Sequence, residues 1–132
     1  MPTLFQKLNL GDHKEIAVVN APESFEPALA ELDGVAVRRD ERSIAKISFA
    51  IGFVQTLAEV EKAAQWIAKM PAGDVIVWLA YPKGTSKRYM CEFNRDNGWS
   101  AVRAVGFDTV RQVAIDEDWS ALRFRRNEFI GK

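Results

Sequence analysis

Two hydrophobic patterns alternate along the chain, continuous apolar runs and apolar residues at helical spacing. Residues 15–20, 47–54 and 74–81 are almost continuously apolar, which is typical of parallel strands covered on both faces. Residues 35–37 form a shorter segment of the same kind. Because residues 74–81 are the most hydrophobic of these runs, we expect them in the middle of a sheet.

Helical spacing appears between the apolar runs. Apolar side chains recur at this spacing over residues 25–32, which predicts a helix after the first run. Thr56 and Glu59 match a capping box, in which each residue's side chain accepts the other's backbone amide. This motif predicts a helix from Thr56 to about Pro71.

The last third of the chain has a different pattern. A further helix is predicted to begin near Asn94 or Asp96 and to end at Gly106. Residues 109–115 and 119–125 then alternate between apolar and polar, which predicts two strands joined as an antiparallel hairpin.

The order of these elements predicts the fold class. Strand, helix, strand, strand, helix, strand, helix and hairpin are the order of a three-layer α/β, Rossmann-like fold, with a mostly parallel sheet and a carboxy-terminal antiparallel β-hairpin. A chain of 132 residues has the length of one domain, so we expect a single Rossmann-like domain over residues 1–132. Its 48% apolar and 27% charged residues are those of an ordinary globular protein.

Charge and reactive side chains restrict the chemistry. Eighteen Lys and Arg balance eighteen Asp and Glu, so net charge gives no support to binding of a polyanion. One cysteine and one histidine exclude an internal disulfide and most metal centres and triads built on these residues. Residues 4–10 contain polar side chains and do not resemble an export signal, and no apolar run approaches the roughly 20 residues that cross a bilayer. We expect a cytoplasmic protein.

Three segments resemble a known family. Residues 20–25 (NAPESF), 78–83 (WLAYPK) and 116–124 (DEDWSALRF) are similar to recurring segments of a bacterial family known only as a domain of unknown function. Proteins of that family resemble a shortened class I methyltransferase fold. The resemblance implies a fold, and it implies no activity and no site residues.

The turn after the first apolar run bears on cofactor binding. Dinucleotide and S-adenosyl ligands need glycines at this turn, because only a backbone without side chains lets them approach the following helix. Residues 20–24 contain no glycine, Pro22 has no amide hydrogen, and Glu23 would repel a phosphate. We therefore predict no cofactor, no catalytic residue and no metal ligand, and we keep Asn20 as a candidate ligand contact.

The loop after the most hydrophobic run is the main candidate for ligand contact. It leaves the carboxyl end of a strand expected at the centre of the sheet, where open α/β sheets bind their ligands. With Lys87 and Arg88 it combines a glycine, two hydroxyls and three cations, which suit an anion. The alternative is a solvated basic loop. The candidate contacts are Lys83, Gly84, Thr85 and Ser86.

Two groups of charged residues lie in or near the predicted hairpin. Residues 116–118 are three acids at the predicted turn. They suit either general acid–base or cation chemistry, or a solvated turn whose charges Arg123 and Arg125 can neutralise across the strands, and we expect the solvated turn. Cations are also concentrated in the carboxy-terminal half. If several of them share one face, they form a basic patch able to bind nucleic acid or an acidic protein.

The leading hypothesis is a non-catalytic, Rossmann-like binding or interaction module, whose partner is a small anion or a protein and not a membrane. One alternative is an enzyme similar to methyltransferases that binds a small molecule, an S-adenosyl compound or a nucleotide. Its crevice would lie between residues 20–21 and 52–53, with residues 83–86 as the rim. The second alternative is nucleic-acid binding through the basic carboxy-terminal half, which the neutral total charge disfavours.

Overall fold

The computed structural model describes residues 3–93 and 97–130, which form four α-helices and six strands. The helices are α1 (Leu4–Lys7), α2 (Glu26–Ala30), α3 (Leu57–Ile67) and α4 (Ser100–Ala104). The strands are β1 (Glu15–Val19), β2 (Ala36–Arg38), β3 (Phe49–Phe53), β4 (Ile76–Pro82), β5 (Phe107–Ala114) and β6 (Trp119–Arg126).

The strands form one mostly parallel sheet. Their order is β2-β1-β3-β4-β6-β5, and β6 is antiparallel to both of its neighbours. The α/β, Rossmann-like fold with a carboxy-terminal antiparallel hairpin is therefore confirmed. The second strand of the hairpin returns between β4 and β5, so that β5 forms the edge of the sheet.

Helices cover both faces of the sheet, as the apolar runs predict. All five residues of β3 and six of the seven residues of β4 are buried. On one face, which we call the α3 face, the core includes side chains of α3 and α4. On the other, which we call the α1 face, it includes side chains of α1 and α2. Strands buried on both sides need continuous apolar sequence, which explains why they could be recognised.

The ends of two helices bear on the predictions. The capping box at α3 is confirmed, since Thr56 Oγ1 accepts the backbone amide of Glu59 at 3.1 Å and Glu59 Oε1 accepts that of Thr56 at 3.2 Å. The proposed helix starts at Asn94 and Asp96 lie outside the described residues. In the described part, α4 begins at Ser100.

The amino-terminal segment contains a helix that the apolar pattern did not predict. Thr3 and Gln6 form a capping box at the start of α1. The segment that follows packs into the core of the α1 face, where Leu8 is fully buried and its carbonyl accepts the indole N–H of Trp78 at 2.9 Å. A helix of four residues is too short to show an apolar period, so the cap is its only sequence signal.

The acids of the hairpin turn are not neutralised by Arg123 and Arg125, and that prediction is wrong. Asp116 Oδ1 accepts backbone amides within the turn, and Asp118 lies 3.9 Å from Arg88. Because β6 runs away from the turn, Arg125 reaches the start of β4 and pairs with Asp74.

Within the described ranges, no helix has the length and apolar character that crossing a membrane would require.

Candidate functional site

A crevice lies where the strand order reverses. The chain passes from β1 to β2 on one side and then to β3 on the other, so the carboxyl ends of β1 and β3 are adjacent without a direct connection. Open α/β sheets bind ligands at such a switch point. A cavity of about 270 Å³ opens here on the α3 face. Its wall includes Gly52, Ala63 and Trp66, and its rim includes Asn20, Glu59 and Lys62.

Asn20 connects the two strands across this crevice. It follows β1 with a φ of 62°, in the left-handed region that asparagine tolerates better than most residues. Its Nδ2 donates to the carbonyl of Phe53 at 3.0 Å and to Glu59 Oε2 at 2.9 Å. Both amide hydrogens are therefore used, whereas Oδ1 accepts no hydrogen bond from the described residues.

Glu59 is held by three donors at the start of α3. In addition to the bond from Asn20, its Oε1 accepts the backbone amides of Gln55 at 2.8 Å and Thr56 at 3.2 Å. A second carboxylate, Glu92, accepts the amide of Leu57 at 2.9 Å. The positive end of the α3 dipole is thus occupied by two of the protein's own acids, which disfavours a phosphate at this position.

Lys62 supplies the positive charge on the rim. It lies one helical turn after Glu59, is exposed, and makes no ion pair with any residue in the described ranges. Its ammonium group is therefore free to bind an anionic group of a ligand in the crevice.

Gly52 permits close contact between β3 and α3. A Cβ atom added at this position would lie 2.8 Å from Trp66 Cζ2 and 3.3 Å from Leu79 Cδ2. The glycine therefore lets the indole lie directly on the strand, and this contact forms the inner wall of the crevice.

The candidate residues of the loop after β4 lie at a different cavity. Lys83, Gly84 and Ser86 line a cavity of about 270 Å³ that shares no lining residue with the crevice. Thr85 is exposed in the turn beside it. The structure therefore does not bring these four residues together with Asn20, whereas residues 52–53 do lie beside it.

Ser86 connects its loop to the hairpin turn. Its hydroxyl donates to Asp118 Oδ1 at 2.8 Å, and its oxygen accepts the backbone amides of Tyr89 at 3.1 Å and Arg88 at 3.3 Å. Cys91 lines the same cavity, and burial raises the pKa of its thiol. The thiol is therefore protonated at neutral pH and is a poor nucleophile.

Sequence reasoning did not assign Glu59, Lys62, Ala63 and Trp66 to a site. The capping box identified Glu59 as structural, and its contact with Asn20 joins positions 39 residues apart. One sequence signal was available. On the predicted helix these four residues follow one another at spacings of three, one and three, which places them on the same helical face.

Comparisons with known proteins identify solved structures that share this fold. No protein-family model and no curated protein matches the chain. Solved structures do match. A SAM-dependent methyltransferase from Aquifex aeolicus has a TM-score of 0.67 and 8% identity, over 93% of this chain and 87% of its own. Magnesium protoporphyrin IX methyltransferase from Synechocystis PCC 6803, with bound SAH, has a TM-score of 0.58 and 11% identity, over 94% and 78%.

A third match is a fibrillarin pre-rRNA processing protein from Methanococcus jannaschii, with a TM-score of 0.54 and 9% identity over 89% of this chain and 68% of its own. At such identities the likeness concerns the fold alone. The chain has a Rossmann-like fold that resembles a shortened class I SAM-dependent methyltransferase.

Proposed function

We propose that this chain is a methyltransferase-like binding protein that holds a small S-adenosyl compound in the crevice between β1 and β3. The observation that carries this proposal is the cavity at the reversal of strand order, which has an apolar wall and a rim of mixed charge. Its volume of about 270 Å³ falls just below the roughly 300–1,000 Å³ of typical ligand pockets, so the ligand would extend out over the open rim.

The rim favours a zwitterion over a phosphate. Glu59 and Glu92 already occupy the start of α3, and Pro22 offers no amide hydrogen in the turn after β1. A nucleotide phosphate would meet these carboxylates without the glycine-rich backbone that normally binds it. S-adenosyl compounds carry an amino-acid group with one ammonium and one carboxylate. In this proposal that group lies between Asn20 and Lys62 on the rim, so it does not depend on the glycine turn that the sequence lacks.

The polar atoms of the rim can bind both of these groups. Lys62 would bind the carboxylate. Asn20 Oδ1, which accepts no hydrogen bond within the described part of the chain, would accept one from the ammonium or a ribose hydroxyl. The S-adenosyl group would supply a transferable methyl when bound as S-adenosylmethionine.

The side chains of the crevice support binding more than proton transfer. Glu59 is the acidic group on the rim, and its carboxylate oxygens already accept three hydrogen bonds, from Asn20, Gln55 and Thr56. These oxygens are engaged by the protein itself and are not left to accept a proton from a substrate. The non-catalytic role expected from the sequence is therefore part of the proposal.

Isothermal titration calorimetry and thermal unfolding with S-adenosylhomocysteine, S-adenosylmethionine and ATP test the proposal. At a hundredfold excess over the dissociation constant, the S-adenosyl compounds should stabilise the fold by about 2.7 kcal/mol, and ATP should not. Lys62→Gln should weaken binding by about tenfold, because it removes the charge that meets the carboxylate.

Lys69→Gln provides the matched control, since Lys69 is exposed just beyond the end of α3 and does not line the crevice. Equal losses in the two variants, or stabilisation by ATP alone, would contradict the proposed ligand class and its position.

A further inference from the structure

Two arginines lie opposite each other on the hairpin. Arg111 of β5 is the register partner of Arg123 of β6, and both lie on the α1 face, as do Trp78 and Val113 beside them. Like charges that face each other across two strands destabilise a sheet. The arrangement therefore has a cost unless something negative lies between them.

A bulge in β5 produces this pairing. The register shifts between Thr109 and Arg111, so Val110 is left without a partner and Arg111 takes the place opposite Arg123. With regular pairing, Val110 would face Arg123. Bulges commonly redirect a side chain towards a functional position, and here the redirected side chain is a second guanidinium.

No carboxylate of the described residues pairs with Arg123. Its Nε is buried and finds no hydrogen-bond acceptor within residues 3–93 and 97–130. Asp74, the acid whose charge acts on Arg123, already pairs with Arg125 at 2.6 Å. A buried guanidinium N–H without an acceptor is rare in folded proteins, and an anion bound to the exposed part of this half-buried group would offset its charge.

Arg111 is almost as poorly paired. Its only hydrogen bond among the described residues is a long one of 3.5 Å to Asn9 Oδ1. Burial lowers the pKa of the Arg123 guanidinium, Asp74 opposes this effect, and Arg125 and Arg111 add to it. Each of the two cations would therefore gain from a shared anion.

We infer that Arg111 and Arg123 form a binding site for a phosphate monoester group, on the face of the sheet opposite the proposed S-adenosyl crevice. Two guanidinium groups carry two positive charges, and a phosphate monoester carries close to two negative charges at neutral pH. It also offers three acceptor oxygens, enough for both arginines. A single carboxylate would neutralise only one of them.

The surroundings favour one phosphate group over a nucleic-acid backbone. Proteins that follow a polyanion usually make several phosphate contacts. Here the next arginine on the same face, Arg125, is already neutralised by two hydrogen bonds to Asp74.

The site can be tested on the full chain with inorganic phosphate as the probe, at constant ionic strength and with chloride as the reference anion. Phosphate should raise the unfolding temperature of the wild type in a saturable manner. Arg111→Gln and Arg123→Gln should each weaken binding by at least about tenfold. Arg42→Gln is the control. It removes the same charge from an exposed arginine whose Nε lies 3.9 Å from Asp40 Oδ2, and it should leave phosphate binding unchanged.

Folding of the variants is measured separately, because Arg123→Gln removes a half-buried cation that forms no ion pair with the described residues and should not lower stability in the absence of phosphate. Phenyl phosphate and a single-stranded oligonucleotide distinguish a monoester from a polyanion. Binding that both arginine variants retain, no saturable phosphate binding in the wild type, or tighter binding of the oligonucleotide with a steep salt dependence would each overturn the inference.

Discussion

The crevice at β1 and β3 and the loop after β4 both carry polar side chains at the carboxyl ends of strands, yet they use them differently. In the loop, the Ser86 hydroxyl is fully engaged with Asp118 and two backbone amides. In the crevice, Asn20 uses its two amide hydrogens, whereas among the described residues its Oδ1 accepts no hydrogen bond and Lys62 forms no ion pair. Remaining hydrogen-bonding capacity, and not residue type, therefore separates a candidate site from a structural connection.

The two regions also differ in how tightly their glycines are packed, and this difference gives the largest expected effect. Gly52→Ala would place a Cβ 2.8 Å from Trp66 Cζ2, so we expect a loss of about 2 kcal/mol in the free energy of unfolding. Gly84→Ala, in the loop, is the matched control, because nothing lies within 4 Å of its added Cβ.

Urea denaturation measures both glycine variants. A near-neutral Gly52→Ala would mean that Trp66 can move away from β3, and the inner wall of the crevice would then be adaptable.

A second effect concerns the two polar side chains themselves. Asn20→Ala removes two hydrogen bonds and places alanine at a φ of 62°, so we expect a loss of about 2 kcal/mol. Asn20→Gly removes the same bonds without the conformational cost, and should be more stable than the alanine variant by about 1 kcal/mol. Thermal unfolding with and without S-adenosylhomocysteine measures both stability and binding.

Ser86→Ala is the counterpart in the loop. It should cost about 1 kcal/mol and leave the stabilisation by S-adenosylhomocysteine intact, whereas both Asn20 variants should reduce it. If Ser86→Ala also lost the stabilisation by S-adenosylhomocysteine, the loop after β4 would contribute to ligand binding. The contrast between the loop and the crevice would then be wrong.

Local signals account for what could be predicted. The strands β3 and β4 were visible because both faces are buried, and α3 was visible because its cap involves residues only three apart. The fold class followed from the order of such elements.

Long-range contacts account for the rest. The bond between Asn20 and Glu59 and the bond between Ser86 and Asp118 join positions 39 and 32 residues apart, and no periodicity records them. The opposition of Arg111 and Arg123 depends on a bulge, which shifts the alternation by one residue. Sequence alone therefore located candidate residues and could not state which atoms remained available.

The ion pair between Asp74, just before β4, and Arg125 of β6 gives the smallest expected effect. It serves as a reference for both regions, because neither residue lines the crevice or the cavity at the loop after β4. Hydrogen bonds from Arg125 hold the pKa of the Asp74 carboxyl below its usual value. The charged form is thus favoured by folding, so its contribution is present above the ordinary pKa of about 3.9 and is lost as pH falls through the lower folded value.

Since both side chains are about one third exposed, at 35% and 34%, solvent limits this contribution to less than about 1 kcal/mol. Asp74→Asn should therefore lower stability slightly at pH 7 and flatten its decline in acid, as measured by urea midpoints across pH. Asp40→Asn, whose carboxylate lies 3.9 Å from the exposed Arg42, should do neither. If Asp74→Asn cost as much as Asn20→Ala, ordinary surface pairs would stabilise this fold as strongly as the crevice does, and the energetic contrast between the regions would disappear.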